Sequence, residues 1–496
     1  MSAALDHLML GFSTALAPGH LLGCFIGVLV GTIIGVLPGL GPVTTIALLL
    51  PLTFSLTPTG AVIMLAGIYY GAQYGGSITA ILVNVPGEAS STVTCLDGYA
   101  MARQGRAGLA LAVSAIGSFI GGTVGTLVLA TLAVPLTSVA SRFEAADYAA
   151  LMACGLTAAI VLASGPMVNA VLMVAAGALL GAVGTDPTGQ PRFTMGRPEL
   201  LDGIGFMPIA IGLFALAEII AMLITPAERV TTTNGVDGLW PQPGEARRAT
   251  AASLRGTILG SLLGILPGAG PLIASFASYA LEKRVSPRAP FGRGAIEGVA
   301  GPESANNAAA QTSFVPLLTL GLPSNAVMAM LLGALIVHGV QPGPGVIEKE
   351  PALFWGLVAS MWIGNLMLLV INLPLVGIWR RLLLIPYRFL YPATIVLCCV
   401  GIYTLNHSTF ELLLTAGFGG IGYFLRAYGF EPTPLLLGFV LSQPLEEHFR
   451  RAMLFSDNDL STFLVHPVSA TLVAITAILL LLSALPAIRR TRHILQ

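Results

Sequence analysis

The sequence predicts an all-α polytopic membrane protein with two internal repeats. Three observations predict it: a scarcity of charge, a succession of long apolar runs, and a pattern of glycine–proline breaks that occurs twice. Only 9% of the 496 residues are charged and 55% are hydrophobic, whereas a soluble globular chain carries about 25% charged residues. So few charges cannot cover a soluble surface of this size, but hydrocarbon solvates apolar side chains directly. One helical crossing needs about 20 apolar residues, and apolar stretches recur from Leu21–Val36 to Val468–Leu485. Several are too short to cross alone. The expectation is about ten to twelve transmembrane helices plus re-entrant or broken ones. The 58 glycines and 33 prolines inside apolar runs permit close helix packing and helix breaks.

Taken in order, residues 1–17 form a modest amphipathic lead-in, without the basic segment and cleavage site of a signal peptide. Residues 18–224 are the first membrane repeat and 254–455 the second. Between them, 225–253 is a polar linker whose Thr231–Gly235 and Pro241–Gly244 read as irregular chain. Residues 456–496 add a further transmembrane helix and a basic tail.

The repeat rests on ordered matches. Gly35-Val36-Leu37-Pro38-Gly39-Leu40-Gly41-Pro42 returns 229 residues later as Gly264-Ile265-Leu266-Pro267-Gly268-Ala269-Gly270-Pro271. Asn84-Val85-Pro86 returns after 237 as Gly321-Leu322-Pro323, and Gly125 with Pro135 after 239 as Gly364 with Pro374. Gly177, Gly184 and Asp186-Pro187-Thr188 return after 245 as Gly422, Gly429 and Glu431-Pro432-Thr433. The slow upward drift is what small insertions produce. Pro208 with Gly212 against Pro434 with Gly438, 226 apart, runs against it. Basic residues suggest that the halves are inverted. Arg103 and Arg106 follow the second motif of the first half, whereas Lys283, Arg284, Arg288 and Arg293 follow the first motif of the second half.

Inverted repeats with broken apolar segments mark the substrate site of secondary transporters. A broken helix presents free N–H groups where its second part starts, and these with the helix dipole attract anions. Free carbonyls where its first part ends coordinate a cation. The breaks are set by Pro38, Pro42, Pro86, Pro267, Pro271 and Pro323. The candidate substrate residues at the helix starts are Gly39, Gly41, Thr44, Thr45, Gly87, Ser90, Ser91, Gly268, Gly270, Ser275, Ser324 and Asn325. Glu303, Asn306 and Asn307 share a helical face by their spacing, and with Asn84 and Thr319 they supply oxygens for a cation. A simple helix kink or interhelical hydrogen bonding is the plainer alternative at each place. Glu218 is costly in its apolar run without a partner, and Asp186 and Glu431 fit helix caps.

Other functions are disfavoured. Zero net charge leaves no basic face for nucleic acid, so no nucleic-acid partner is expected. Cys24, Cys95, Cys154, Cys398 and Cys399 lack metal or redox spacing, and the histidines do not cluster, so no cofactor and no metal beyond a sodium ion is expected. No nucleophile elbow, His-Glu-x-x-His pair or phosphate-binding loop occurs; the chain reads as a non-enzyme driven by an ion gradient. An anion channel built on the same broken helices is the alternative.

Residues 35–42 with Leu48–Phe54, the run Tyr70–Ser77 followed by Asn84–Gly87, and the blocks Gly301–Ala308 and Pro316–Pro323 resemble the large membrane subunit of the tripartite tricarboxylate transporters, the TctA family. Pro323-Ser324 departs from the usual Pro-Gly. The resemblance implies a multi-pass protein of the bacterial inner membrane that works with a small transmembrane subunit and a periplasmic solute-binding protein. It implies import of citrate or another carboxylate, with sodium or a proton as coupling ion.

Overall fold

The computed structural model describes residues 2–37, 41–163, 165–186, 188–224, 238–266, 268, 270–375, 407–484 and scattered positions from 378 to 403. Pro38, Gly39, Pro267, residues 225–237 of the expected linker and the basic tail lie outside the described residues, and from Pro243 onward the expected linker is not irregular but helical.

The chain is all-α apart from one two-stranded hairpin, Gly184–Thr185 with Pro191–Arg192, among the described residues. The first half contains α1 (Ser2–Ala15), α2 (Pro18–Val36), α3 (Pro42–Leu49), α4 (Pro58–Val83), α5 (Ala107–Ala140), α6 (Ala145–Leu162), α7 (Met167–Gly181) and α8 (Phe206–Ile224). The second contains α9 (Pro243–Ile265), α10 (Gly270–Val285), α11 (Glu297–Thr312), α12 (Phe314–Leu320), α13 (Ala326–Val337), α14 (Pro351–Asn372), α15 (Thr409–Ala427), α16 (Thr433–Phe455) and α17 (Pro467–Ala484). Among the described residues, α2, α5, α6, α8 and α14 are long and apolar enough to cross a bilayer, and shorter apolar helices accompany them. The protein is therefore a multi-pass membrane protein.

Local chemistry sets the helix ends. Proline opens α2, α3, α4 and α14, where its missing N–H costs nothing. Thr57 caps α4 by accepting from Gly60 N–H at 3.2 Å, and Ser408 caps α15 in the same way at 3.3 Å. The helices before the second breaks end on left-handed residues: α4 on Asn84 at φ 58° and α12 on Gly321 at φ 70°. At Gly321 the left-handed turn returns Gly321 N–H to Leu317 C=O and Leu322 N–H to Pro316 C=O, each at 3.1 Å, which satisfies carbonyls of the last turn. Asp186, expected as a helix cap, instead holds the hairpin turn, accepting from Thr188 N–H and Gln190 N–H, each at 2.9 Å.

Packing follows two glycine seams. A methyl on Gly27, Gly31 or Gly35 of α2 would run into the carbonyls of Met64, Ile68 and Ala72 of α4. A methyl on Gly256, Gly260 or Gly264 of α9 would meet those of Gly301, Ala305 and Ala309 of α11. Small residues let these backbones touch, which replaces the hydrophobic force that lipid removes. The two sets are related by the 229- and 237-residue intervals already seen in the sequence. Each half also lends a helix to the other. Helix α5 packs on α11 and α9, while α14 packs on α4 and α2. Outside this central group, α7 crosses α16 with Gly177 on Leu435 C=O and Gly438 on Val174 C=O. Helix α8 meets α15 with Gly212 on Thr415 C=O and Gly422 on Leu213 C=O. Gly212 and Gly438 are the glycines of the 226-residue match and Gly177 and Gly422 belong to the 245-residue match, and all four sit in helices; the residues after Gly184 and Gly429 differ, entering a β-hairpin and α16 respectively.

Candidate functional site

The second-half breaks touch. Gly268 N–H donates to Ser324 C=O at 2.7 Å, and Asn325 lies against Gly270. Gly268 and Gly270 have φ of 81° and 53°, a conformation L side chains resist. Asn325 caps α13, its Oδ1 accepting from Met328 N–H at 3.0 Å. Its Nδ2 donates to Tyr69 OH at 3.4 Å and Ser313 Oγ at 3.3 Å. Ser324 is fully buried and its Oγ has no hydrogen-bond partner. Pro271 is the second residue of α10, and Ser275 Oγ bonds back to Leu272 C=O at 2.8 Å.

In the first half, Gly87 is wedged against Gly35 C=O, Gly76 and Thr79, with its N–H 3.4 Å from Gly76 C=O. The following turn is capped by Glu88, whose Oε2 accepts from Ser90 N–H at 3.2 Å and from Ser90 Oγ. Ser90 Oγ also lies 2.6 Å from Gln73 Oε1, and Ser91 Oγ donates to Glu88 C=O at 2.7 Å. Pro42 starts α3 behind Gly41, around which space is open. Thr44 Oγ1 donates to Phe214 C=O at 3.4 Å and Thr45 Oγ1 to Gly41 C=O at 3.0 Å. Helix α3 packs on α13 and α10 packs on Ala89–Ser91, so each half's first break adjoins the other half's second.

The expected cation face gathers in part. Glu303, wholly buried, accepts from Thr94 Oγ1, from Ser77 Oγ at 2.5 Å and from Ser118 Oγ at 3.5 Å. Asn307 Nδ2 donates to Ser118 Oγ at 2.8 Å, Asn306 Oδ1 at 2.6 Å and Glu303 C=O at 3.1 Å. This cluster ties α11 to α4, α5 and the Thr92–Thr94 turn. Thr319 bonds only within its own helix, to Val315 C=O at 2.7 Å, and Asn84 is an exposed C-cap. Glu218 has the partner its burial requires, Arg426 of α15.

Sequence reasoning passed over Tyr69, Gln73, Ser118 and Asp97. Asp97 is fully buried and accepts from Gly294 N–H at 2.8 Å, Ala295 N–H at 2.9 Å and Tyr279 OH at 2.9 Å. Its signal was a lone carboxylate in a mostly uncharged stretch, between Leu96 and Gly98. No group of three His, Cys, Asp or Glu suits a metal among the described residues. A cavity of about 370 Å³ lies elsewhere, between α7, α13, α16 and the hairpin, lined by Arg192, Phe206, Gly333 and Gln443 among others.

The family model described as "Tripartite tricarboxylate transporter TctA family" matches residues 21–437. The chain belongs to the TctA family. TctA members work with a small membrane subunit and a periplasmic binding protein, and the family is one of transporters rather than enzymes. This TctA chain is 54% identical over 494 residues to an uncharacterized 52.8 kDa protein in the TAR-I ttuC′ 3′ region of Agrobacterium vitis, covering 99% of this chain and 98% of that one. It is 55% identical over 234 residues to an uncharacterized protein in the TAR-II ttuC′ 3′ region of the same organism, covering 47% of this chain and 97% of that one. No solved structure matches it.

Proposed function

We propose that this TctA chain is the permease subunit of a binding-protein-dependent secondary transporter in the bacterial inner membrane. It imports a tricarboxylate or related carboxylate by symport with sodium or protons, together with its small membrane subunit and a periplasmic binding protein. The observation that carries the reading is the contact of Gly268 with Ser324, which sets the starts of α10 and α13 side by side. Adjacent helix N-termini form an anion site from backbone N–H groups and dipoles. The starts at Gly41–Thr45 and Gly87–Ser91 belong to the same ring of contacts.

The two halves are read as inverted repeats. Supporting this, the loop holding Arg103 and Arg106 meets the loop holding Arg288 and Arg293, through Gln104 Nε2 donating to Arg293 C=O at 2.8 Å. Non-equivalent loops then share one basic end, which the positive-inside rule assigns to the cytoplasm.

The test is uptake into vesicles containing this chain and its small partner, with the binding protein added. Labelled citrate and competing carboxylates are offered while sodium and proton gradients are imposed separately. Accumulation against the solute gradient, dependent on one ion, is the expected result. Purely downhill flux would replace symport by a channel.

A further inference from the structure

The caps of the two second breaks occupy equivalent places: Glu88 and Asn325 are 237 residues apart, as are Pro86 and Pro323. One cap is a carboxylate and the other an amide. Resting on the symport reading above, we propose that the two breaks divide the ions between them. Glu88, Gln73 and Ser90 hold a monovalent hard cation of the sodium class, and Ser324–Asn325 takes the substrate carboxylate.

Counting protons separates the two clusters. Around Glu303, the hydroxyls of Ser77, Thr94 and Ser118 all point at one carboxylate, the Ser77 proton being shared with Gln73 C=O, which leaves that carboxylate less capacity for a further cation. Around Glu88 the balance is reversed. Ser90 has one hydroxyl proton, yet its Oγ contacts both Gln73 Oε1 and Glu88 Oε2. If that proton goes to Gln73 Oε1, Glu88 Oε2 keeps only Ser90 N–H; if it goes to Glu88, Gln73 Oε1 goes without. Gln73 is fully buried, and its Nε2 has no hydrogen-bond partner. Exchanging the amide O and N gives Ser90 a donor but leaves a bare carbonyl oxygen where Nε2 stood, so one amide atom remains unpaired in either assignment. The spare Nε2 protons do not favour a cation; the oxygens do, because a carboxylate, a hydroxyl and an amide carbonyl converge there, and such oxygens are the ligands of a hard cation.

At the other break the unpaired group is Ser324 Oγ, a buried donor beside the Asn325 amide. It stands where the first half has Gly87, so only the second-half break carries this hydroxyl. Tyr69 joins the two: its hydroxyl accepts from Asn325 Nδ2, and it precedes Gln73 by one helical turn of α4. An uncompensated Glu88 repels an incoming carboxylate, and a bound cation removes that repulsion. The cation therefore raises substrate affinity and the substrate raises cation affinity by the same factor.

The test is equilibrium binding of radioactive sodium to the purified full-length chain in lipid nanodiscs, with no carboxylate present. Saturable binding by the wild type, its loss in Glu88→Gln, and its retention in Glu303→Gln are expected. Ser90→Ala removes one ligand and raises the half-saturating concentration about tenfold, the worth of one modest interaction. No saturable binding by the wild type, or unchanged binding by Glu88→Gln, overturns the assignment. Should Glu88→Gln fail to remain monodisperse, an unchanged half-saturation in Ser90→Ala overturns it equally. Proton-driven uptake in vesicles without sodium binding would refute this site and leave the symport reading intact. Sodium binding without gradient-driven uptake would do the opposite.

Discussion

Replacing Asp97 tests whether the buried carboxylate clamps the first-half turn Cys95–Tyr99 to the loop before α11. Asp97→Ala strands two backbone N–H groups, of Gly294 and Ala295, and the Tyr279 hydroxyl. Each orphaned buried donor costs about 1–3 kcal/mol, so the low end for the trio is about 3 kcal/mol. Asp97→Asn is gentler. Oδ1 takes both backbone N–H groups in the native protein, and an amide oxygen oriented there keeps both. Only the Tyr279 bond must be rebuilt, with the new NH₂ as donor, at a cost of about 1 kcal/mol. At roughly 2 °C per kcal/mol for a large chain, Asp97→Ala lowers the thermal midpoint by about 6 °C and Asp97→Asn by about 2 °C. The assay is intrinsic fluorescence during heating in detergent, with size exclusion confirming monodispersity. A midpoint for Asp97→Ala within error of the wild type, or Asn proving as damaging as Ala, would refute the clamp.

The same melt should rank Arg255→Ala below Glu282→Ala. Glu282 is fully buried and held by Arg255 through two bonds of 2.7 and 2.8 Å, and an abandoned buried carboxylate costs about 3–5 kcal/mol, whereas the stranded Arg255 still reaches solvent. Gly260→Val drives a side chain into Ala305 C=O and should cost about 1–3 kcal/mol by overpacking; cross-linking of cysteines placed on α9 and α11 would report the separation, and unchanged cross-linking would count against the seam. Asp147 accepts from Ser469 N–H at 2.8 Å, so Asp147→Ala should free the start of α17. Proteolysis within 456–466 should then rise about tenfold, matching the loss of one buried bond.

Legibility in the sequence depended on what each residue faces. Glycines that seat a helix on a helix recur at fixed intervals, so Gly35 and Gly264 declared both the seams and the breaks. Prolines did the same for the helix starts at Pro42 and Pro271, but Pro86 and Pro323 fall between helices, two residues after Asn84 and Gly321 and three before Ala89 and Ala326. Partner choice was not legible. Nothing local announces that Ser118 reaches Asn307, 189 positions away, or that Tyr69 meets Asn325 across 256. Glu88 gave no signal of its own because Gln73, which shares the Ser90 hydroxyl with it, lies back on α4. Asp186 was misread since Asp-Pro-Thr suits both a helix cap and a hairpin turn, and only the pairing of Gly184 with Arg192 decides.

Helix α4 is buried at every residue from Gly60 to Val83, and α11 along its whole length. Neither is among the helices long and apolar enough to cross a membrane; α11 is 16 residues long and carries Glu297, Glu303, Asn306 and Asn307. Such segments gain little by dissolving in lipid alone, since each polar group at the bilayer centre is costly there. Their entry into the membrane during synthesis must wait for hosts: α2 is already available to α4, and α5 and α9 precede α11 out of the ribosome. The order of helices along the chain thus doubles as an assembly schedule, in which oily segments arrive first and the polar ones that bear the chemistry are chaperoned in against them.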